Sequence, residues 1–129
     1  MKNLILFLMI LLIMSCSLDR TNPLDPLVSN KEAPGRVTGI QVMTTENNTI
    51  FITWNSMQAA TGYYIYRSQS YDGFYALIID IEKGLNDIHE YEDLDVDIPG
   101  NFYWYKMSAY IIIDEEQLEG YRSEPITWH

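Results

Sequence analysis

The densest group of potential metal ligands is an acidic stretch that runs from residue 87 to residue 97. It contains six carboxylates: Asp87, Glu90, Glu92, Asp93, Asp95 and Asp97. The spacing Asp93-x-Asp95-x-Asp97 imitates the start of a calcium loop, because hard cations bind several carboxylate oxygens. An EF-hand would then need glycine in place of Ile98 and glutamate in place of Trp104, so that interpretation fails. We expect a solvated acidic edge, with a weak loop-bound Ca²⁺ as the alternative.

Residues that perform acid–base or nucleophilic catalysis are scarce in this chain. The histidines are His89 and His129, and the single cysteine is Cys16. Neither histidine falls in a Ser-His-Asp or Cys-His arrangement that the sequence supports. The chain also lacks a glycine-rich phosphate loop. We therefore expect no enzymatic activity, no cofactor and no dedicated metal centre.

Composition and charge limit the class of protein and of partner. The 129 residues are 47% hydrophobic and 13% aromatic, which is enough for one domain with its own core. One cysteine excludes an intrachain disulfide. Eight Lys and Arg against 18 Asp and Glu give a formal net charge of −10. This acidity argues against nucleic acid or anionic lipid as an electrostatic partner, and it favours a soluble exported domain.

The first fifteen residues are typical of a signal peptide. A basic start at Lys2 precedes an unbroken apolar run over residues 4–14. Eleven residues span only ~16 Å as a helix, about half of a bilayer core. The run is therefore too short for a membrane anchor and has the length of a signal-peptide core.

The end of this apolar run carries a second signal. It reads Ile13-Met14-Ser15-Cys16, which resembles the lipobox of bacterial lipoproteins. The resemblance implies a diacylglycerol on the Cys16 thiol, cleavage before this residue and acylation of the new N-terminus. The alternative is a chance cysteine at the end of an ordinary secretory signal. The resemblance thus implies a lipid-anchored envelope protein, either periplasmic or surface-exposed. Ser17-Leu18 provides no aspartate after the cysteine, which in enteric-type sorting favours the outer membrane over the inner one.

A linker is predicted between Cys16 and the domain. Residues 16–35 contain Pro23, Pro26 and Pro34 and show no sustained periodicity, which is typical of an extended tether. The predicted organisation is a signal peptide over residues 1–15, the lipidated cysteine and linker over 16–35, and a domain over 36–129.

Two alternating runs around a small-residue turn organise the domain. The first places Ile50, Ile52 and Trp54 on one face of a strand, and residues 63–67 repeat the period of two after Ala59-Ala60-Thr61-Gly62. An indole that faces a Tyr/Ile stripe is how a sheet sandwich builds its core. We therefore place Trp54 at the centre of the domain.

Seven strands are predicted in all, with no helix after the signal peptide. Their ranges are 37–45, 50–54, 63–67, 74–81, 88–94, 102–113 and 121–128. The regular spacing, broken by turn residues such as Asp72-Gly73 and Pro99-Gly100, is typical of an all-β sandwich.

Several motifs in this order resemble fibronectin type III domains, and especially their bacterial variants. Val37-Thr38-Gly39-Ile40 and Ile52-Thr53-Trp54 match the first two strands, and residues 60–67 match the third. Residues 99–110 match the family pattern P-G-x-x-Y-x-Y-x-V-x-A, with methionine in the valine place. Ser123-Glu124-Pro125 matches the closing S-x-P. The resemblance covers nearly the whole predicted domain.

The resemblance implies a seven-stranded immunoglobulin-like sandwich in which strands A, B and E face strands C′, C, F and G. It further implies that Trp54 is the buried core tryptophan. Tyr103 would be the tyrosine-corner residue, whose hydroxyl bonds an upstream backbone group.

An aromatic strip is the sharpest binding hypothesis. Alternation on the third and sixth strands points Tyr64, Tyr66, Trp104 and Lys106 outward. Tyrosine and tryptophan make binding hot spots and sugar-stacking platforms. The alternative is that aromatic pairs across neighbouring strands only stabilise the sheet. The leading function is a protein-interaction module at the cell envelope that uses this face or the hairpin at residues 114–117. Glycan binding and a structural role in an envelope assembly are the alternatives.

Overall fold

The computed structural model describes residues 31–85 and 87–129. The predicted signal peptide, Cys16 and residues 17–30 of the predicted linker lie outside this part of the chain. The described residues contain seven strands: β1 (Gln41–Thr44), β2 (Ile50–Thr53), β3 (Gly62–Ser68), β4 (Ala76–Glu82), β5 (Glu90–Asp93), β6 (Trp104–Ile113) and β7 (Glu116–Glu119). A helix with the length and apolarity to cross a membrane is not found among the described residues.

The strands form two antiparallel sheets. One has the order β1-β2-β5 and the other has the order β4-β3-β6-β7. This is the predicted grouping of A, B and E against C′, C, F and G, so the expectation of an immunoglobulin-like sandwich is confirmed. Consecutive strands that belong to different sheets require the chain to cross between layers, as it does from β2 to β3.

The core lies where the inward faces of β2, β3 and β6 meet. Ile50 and Ile52 are fully buried on β2, and Trp54 is buried directly after it. The indole meets the ring of Tyr63 edge-on, with 5.3 Å between the ring centroids. Met107 of β6 lies in the same cluster and is also fully buried. Burial of such side chains stabilises the sandwich by ~1.5–3 kcal/mol each.

Tyr103 closes the turn that leads into β6. Its hydroxyl accepts a hydrogen bond from the backbone N–H of Asp97, six residues upstream, at 3.0 Å. The buried ring therefore ties the loop before β6 to the end of the core.

The prediction of a last strand over residues 121–128 is wrong. The strand that follows β6 is β7, and residues 121–128 contribute a single bridge from Ile126 to Tyr105. Asp114 and Glu115 form a two-residue turn with positive φ (52° and 66°), which folds β7 directly back onto β6. Pairing then becomes irregular near Pro125, which has no backbone N–H to donate.

Residues 31–36 lie beside β7 and the residues that directly follow it. Residues Lys31–His129 form one compact unit, so this end of the predicted linker lies with the domain. Lys31 pairs with Glu116 at 3.1 Å, and Arg36 pairs with Glu124 at 2.9 Å. Between them the backbone passes so close that a Cβ on Gly120 would lie 2.2 Å from the carbonyl oxygen of Pro34. Glycine is therefore required for this approach.

Candidate functional site

All four side chains of the predicted strip start on the outer face of the larger sheet. β3 pairs with β6 so that Tyr64 lies opposite Ser108, Tyr66 opposite Lys106, and Ser68 opposite Trp104. The inward residues of the same strands, such as Ile65 and Met107, belong to the core. The period of two thus places the predicted residues on one face.

Tyr66 was expected to be exposed, and the structure contradicts this. Its exposed fraction is only 5%, because the guanidinium of Arg122 lies 3.7 Å from its ring centroid. The Tyr66 hydroxyl donates a hydrogen bond to Glu119 at 2.7 Å, and Ser108 donates a second one to the same oxygen at 2.6 Å. Glu119 and Arg122, in the segment after β6, thus cover the middle of the strip, and we call this contact the Glu119 cover. The sequence did not predict it, because the range predicted for the last strand was wrong.

Glu119 is the charged centre of this cover. Burial raises the pKa of its carboxyl, but the hydrogen bonds from Ser108 and Tyr66 and the charge of Arg122 outweigh burial and lower it below the ordinary value. Burial, followed by the bond to Glu119, raises the pKa of Tyr66. The carboxylate and the phenol therefore stay in their charged and neutral forms at neutral pH, and together they close this part of the face.

Tyr64 lies at the other end of the strip and packs against its own sheet. Its ring is tilted against that of Tyr110 with 4.8 Å between centroids, and the amide of Gln117 contacts its hydroxyl. Tyr110 in turn donates to Asp80 at 2.9 Å. A Cβ on Gly62 would lie 2.3 Å from the Tyr110 hydroxyl, so only glycine leaves room for this ring. Tyr64 is half-buried in a packed cluster and is separated from Trp104 by the covered Tyr66.

Trp104 belongs instead to a different group of rings, which we call the aromatic surface. Its members are Tyr71, Phe102, Trp104 and Trp128. Successive centroids are 5.0 Å apart from Tyr71 to Trp104, 5.8 Å from Trp104 to Phe102, and 4.5 Å from Phe102 to Trp128. Tyr71 is 51% exposed and Phe102 is 49% exposed, whereas the two tryptophans are half-buried.

A cleft of about 350 Å³ adjoins the aromatic surface. It is lined by Tyr71, Asp72, Gly73, Tyr75, Lys106, Glu124 and Pro125. The ammonium of Lys106 lies 4.5 Å from the ring centroid of Tyr75, which holds the cation over the ring. The Tyr75 hydroxyl donates to the carbonyl of Tyr71 at 2.8 Å and so steadies the loop. Both tyrosines come from the turn before β4, which begins at Ala76, whereas the sequence predicted a strand from residue 74 that included Tyr75.

The acidic stretch is a solvated edge except at Asp93. This residue faces inward on β5 and accepts hydrogen bonds from Arg67 at 2.9 Å and from the Tyr105 hydroxyl at 2.8 Å. The other five carboxylates are exposed. Within residues 31–85 and 87–129, no group of three or more acidic, histidine or cysteine side chains has the geometry of a metal site. Asp93, the first position of the imitated calcium loop, is thus occupied by protein donors. His89 lies just before β5 rather than within it.

Comparison with known proteins bears on the fold. No family model matches the chain, and no curated protein matches it. A solved Fn3-like protein from Clostridium thermocellum superposes with a TM-score of 0.54 at 23% identity, over 72% of this chain and 91% of that one. The fold is that of a fibronectin type III domain. An FN3 domain of human collagen XX superposes with a TM-score of 0.46 at 18% identity, over 74% of this chain and 98% of that one.

Within this fibronectin type III fold, the aromatic surface has a definite position. It lies where Trp104 begins β6, the F strand, and where the C–C′ connection between β3 and β4 brings in Tyr71. The surface therefore stands at one end of the larger sheet, away from the Glu119 cover.

Proposed function

We propose that this protein is a non-catalytic interaction module that is held at the cell envelope by lipid on Cys16 and binds a protein partner through the aromatic surface. The observation that supports this proposal is the exposure of Tyr71 and Phe102 on either side of Trp104, beside a cleft lined in part by Lys106. Tryptophan and tyrosine that are partly exposed and locally rigid are the residue types most enriched in binding hot spots.

The mutual orientation of the rings favours a protein partner over a glycan. The plane of Tyr71 is turned by 81° from that of Trp104, and the plane of Phe102 by 59°. A sugar stacks on a flat ring face, whereas these rings present edges and faces in turn. Such an uneven surface is complementary to the side chains of a protein.

Replacing Trp104 by alanine tests the proposal. In native envelopes, crosslinking followed by mass spectrometry identifies the partner, and its affinity is then measured with the variant. We expect an affinity loss of roughly 2 kcal/mol, or about 30-fold, because Trp104 connects Tyr71 to Phe102.

Tyr64→Ala is the matched control, since Tyr64 starts on the same sheet face but lies beyond Tyr66. It should retain the partner, and thermal melting should show both variants folded. Unchanged partner capture by Trp104→Ala would overturn the proposal. Loss of retention on polysaccharide alone would favour the glycan alternative.

The anchor has its own test. Cys16→Ala should move the protein from the membrane fraction to the soluble fraction. The variant has no thiol to carry the acyl chains, and it is several such chains together that anchor a protein stably on a bilayer. Since residues 31–36 lie along β7, fourteen residues separate Cys16 from the domain, which is a reach of ~43 Å when extended. Membrane association that persists without acyl mass on Cys16 would contradict lipidation.

A further inference from the structure

The two outer edges of the larger sheet differ. Residues 31–36 lie beside β7, as described above. In the described part of the chain, β3 is the only strand that pairs with β4, so the opposite side of β4 is an open edge. We infer that this open edge binds an extended, basic segment of a partner protein by strand addition. The inference does not rest on the aromatic surface.

β4 is only partly protected as an edge strand, because its register with β3 is irregular at Ile78 but continuous from Ile79 to Glu82. It is seven residues long and reads ALIIDIE, with no proline or lysine inside it. Edge strands normally carry such residues, or are very short, because their unpaired backbone groups are a template for another strand. Leu77 is exposed on this edge. By contrast, the open edge β5 has only four residues.

The register shows which backbone groups β4 offers. The N–H of Lys83 donates to the carbonyl of Thr61 at 2.9 Å, and Gly62 is paired with Glu82. In an antiparallel ladder, residues that bond to their partner alternate with residues whose N–H and C=O point away. Asp80 and Glu82 therefore present both groups to solvent at the open edge.

The same two residues determine the chemistry of the incoming strand. Both side chains are exposed and lie on the outer face, opposite Tyr64 and Gly62. A residue that pairs with Asp80 or Glu82 places its own side chain beside the carboxylate, and opposite charges there stabilise the pair. Lysine or arginine at every second position therefore fits, with apolar residues between them beside Ile79 and Ile81. A second copy fits less well, because each chain carries a net charge of −10.

Amide hydrogen exchange measured by NMR tests the inference on the full chain in detergent. The probe is a nine-residue peptide of alternating lysine and valine with blocked ends. We expect it to slow exchange at the amides of Asp80 and Glu82 by ~10-fold or more, because each gains a hydrogen bond. Glu90 and Glu92 are the internal control. The N–H of Trp54 bonds to the carbonyl of His89, so these glutamates present their amides to the open edge of β5 in the same way.

Two variants separate backbone pairing from charge attraction. Glu82→Pro removes the outward N–H, which an edge strand tolerates, and should abolish the slowed exchange at Asp80. Glu82→Gln keeps the N–H, should retain the slowed exchange, and should weaken binding only ~2–5-fold. Equal slowing at Glu90 and Glu92, or full binding by Glu82→Pro, would overturn the inference. Slowed exchange that grows with protein concentration in the absence of peptide would overturn it in favour of pairing between two copies.

Discussion

Replacing Asp93 by alanine is expected to destabilise the domain by about 3–5 kcal/mol, because it breaks a buried ion pair at one partner. Asp93 is 1% exposed and holds Arg67 through both carboxylate oxygens, at 2.9 and 3.1 Å. Its carboxylate also accepts hydrogen bonds from the Tyr105 hydroxyl and from the backbone N–H of Asp95. The alanine variant leaves a guanidinium and a buried phenol without this acceptor.

The electrostatics around Tyr105 strengthen this expectation. Burial, and then the charge of Asp93, raise the pKa of the Tyr105 hydroxyl far above its ordinary value. The phenol therefore remains a hydrogen-bond donor at neutral pH, and it needs an acceptor. Without Asp93, its buried O–H would lose a hydrogen bond at a cost of ~1–3 kcal/mol.

Asp95→Ala is the matched control for Asp93→Ala. Asp95 pairs with the same guanidinium at 3.1 Å, but its side chain is 96% exposed. Exposed ion pairs contribute ~0–1 kcal/mol, so this variant should unfold at nearly the wild-type urea concentration. Equal unfolding midpoints for the two variants would show that Asp93 does not stabilise the core.

Replacing Trp54 is the second large effect. Trp54→Ala should lower the free energy of unfolding by about 3–5 kcal/mol, because it leaves a cavity between the two sheets. The indole is buried among residues of both sheets and meets Tyr63 at 5.3 Å. Urea denaturation followed by far-UV circular dichroism measures the change, and the backbone signal does not depend on the tryptophan that is removed.

Trp54→Phe divides this effect into packing and polarity. The buried Nε1–H of Trp54 has no hydrogen-bond acceptor among the described residues. Phenylalanine leaves a smaller cavity than alanine and removes this unpaired donor, which costs ~1–3 kcal/mol when buried. We expect Trp54→Phe to destabilise the domain by less than half as much as Trp54→Ala. A phenylalanine variant as unstable as the alanine variant would mean that the indole N–H is satisfied in solution.

The inward face of the sandwich was predictable from the sequence because burial in a sheet imposes a period of two. Ile50 and Ile52 alternate with half-buried residues on β2, and Ile65 and Met107 continue the pattern on the facing sheet. For the outer face, the sequence predicted only which side chains point outward. Alternation placed Tyr64, Tyr66 and Trp104 there, but it contains no information on which residues are covered from outside.

Two corrections have the same physical cause. Asp93 looked like one of six equivalent acids, and only the approach of β3 and β6 to β5 provides Arg67 and Tyr105 as its partners. Tyr66 looked exposed, and only the fold of the chain after β6 brings Arg122 over its ring. Both contacts join residues that are far apart in sequence, and a local pattern does not encode such pairs.

Local alternation and turn residues, then, were sufficient to determine that this chain is an all-β sandwich with Trp54 inside, since strand periodicity and burial are properties of neighbouring residues. The tertiary structure decided which aromatic rings are accessible, which acid is buried and which sheet edge is open. Those properties depend on what packs against each surface, and here the covering groups come from the loop at residues 69–75 and the irregular segments 31–36 and 120–128, where a local pattern does not determine which surface a residue contacts.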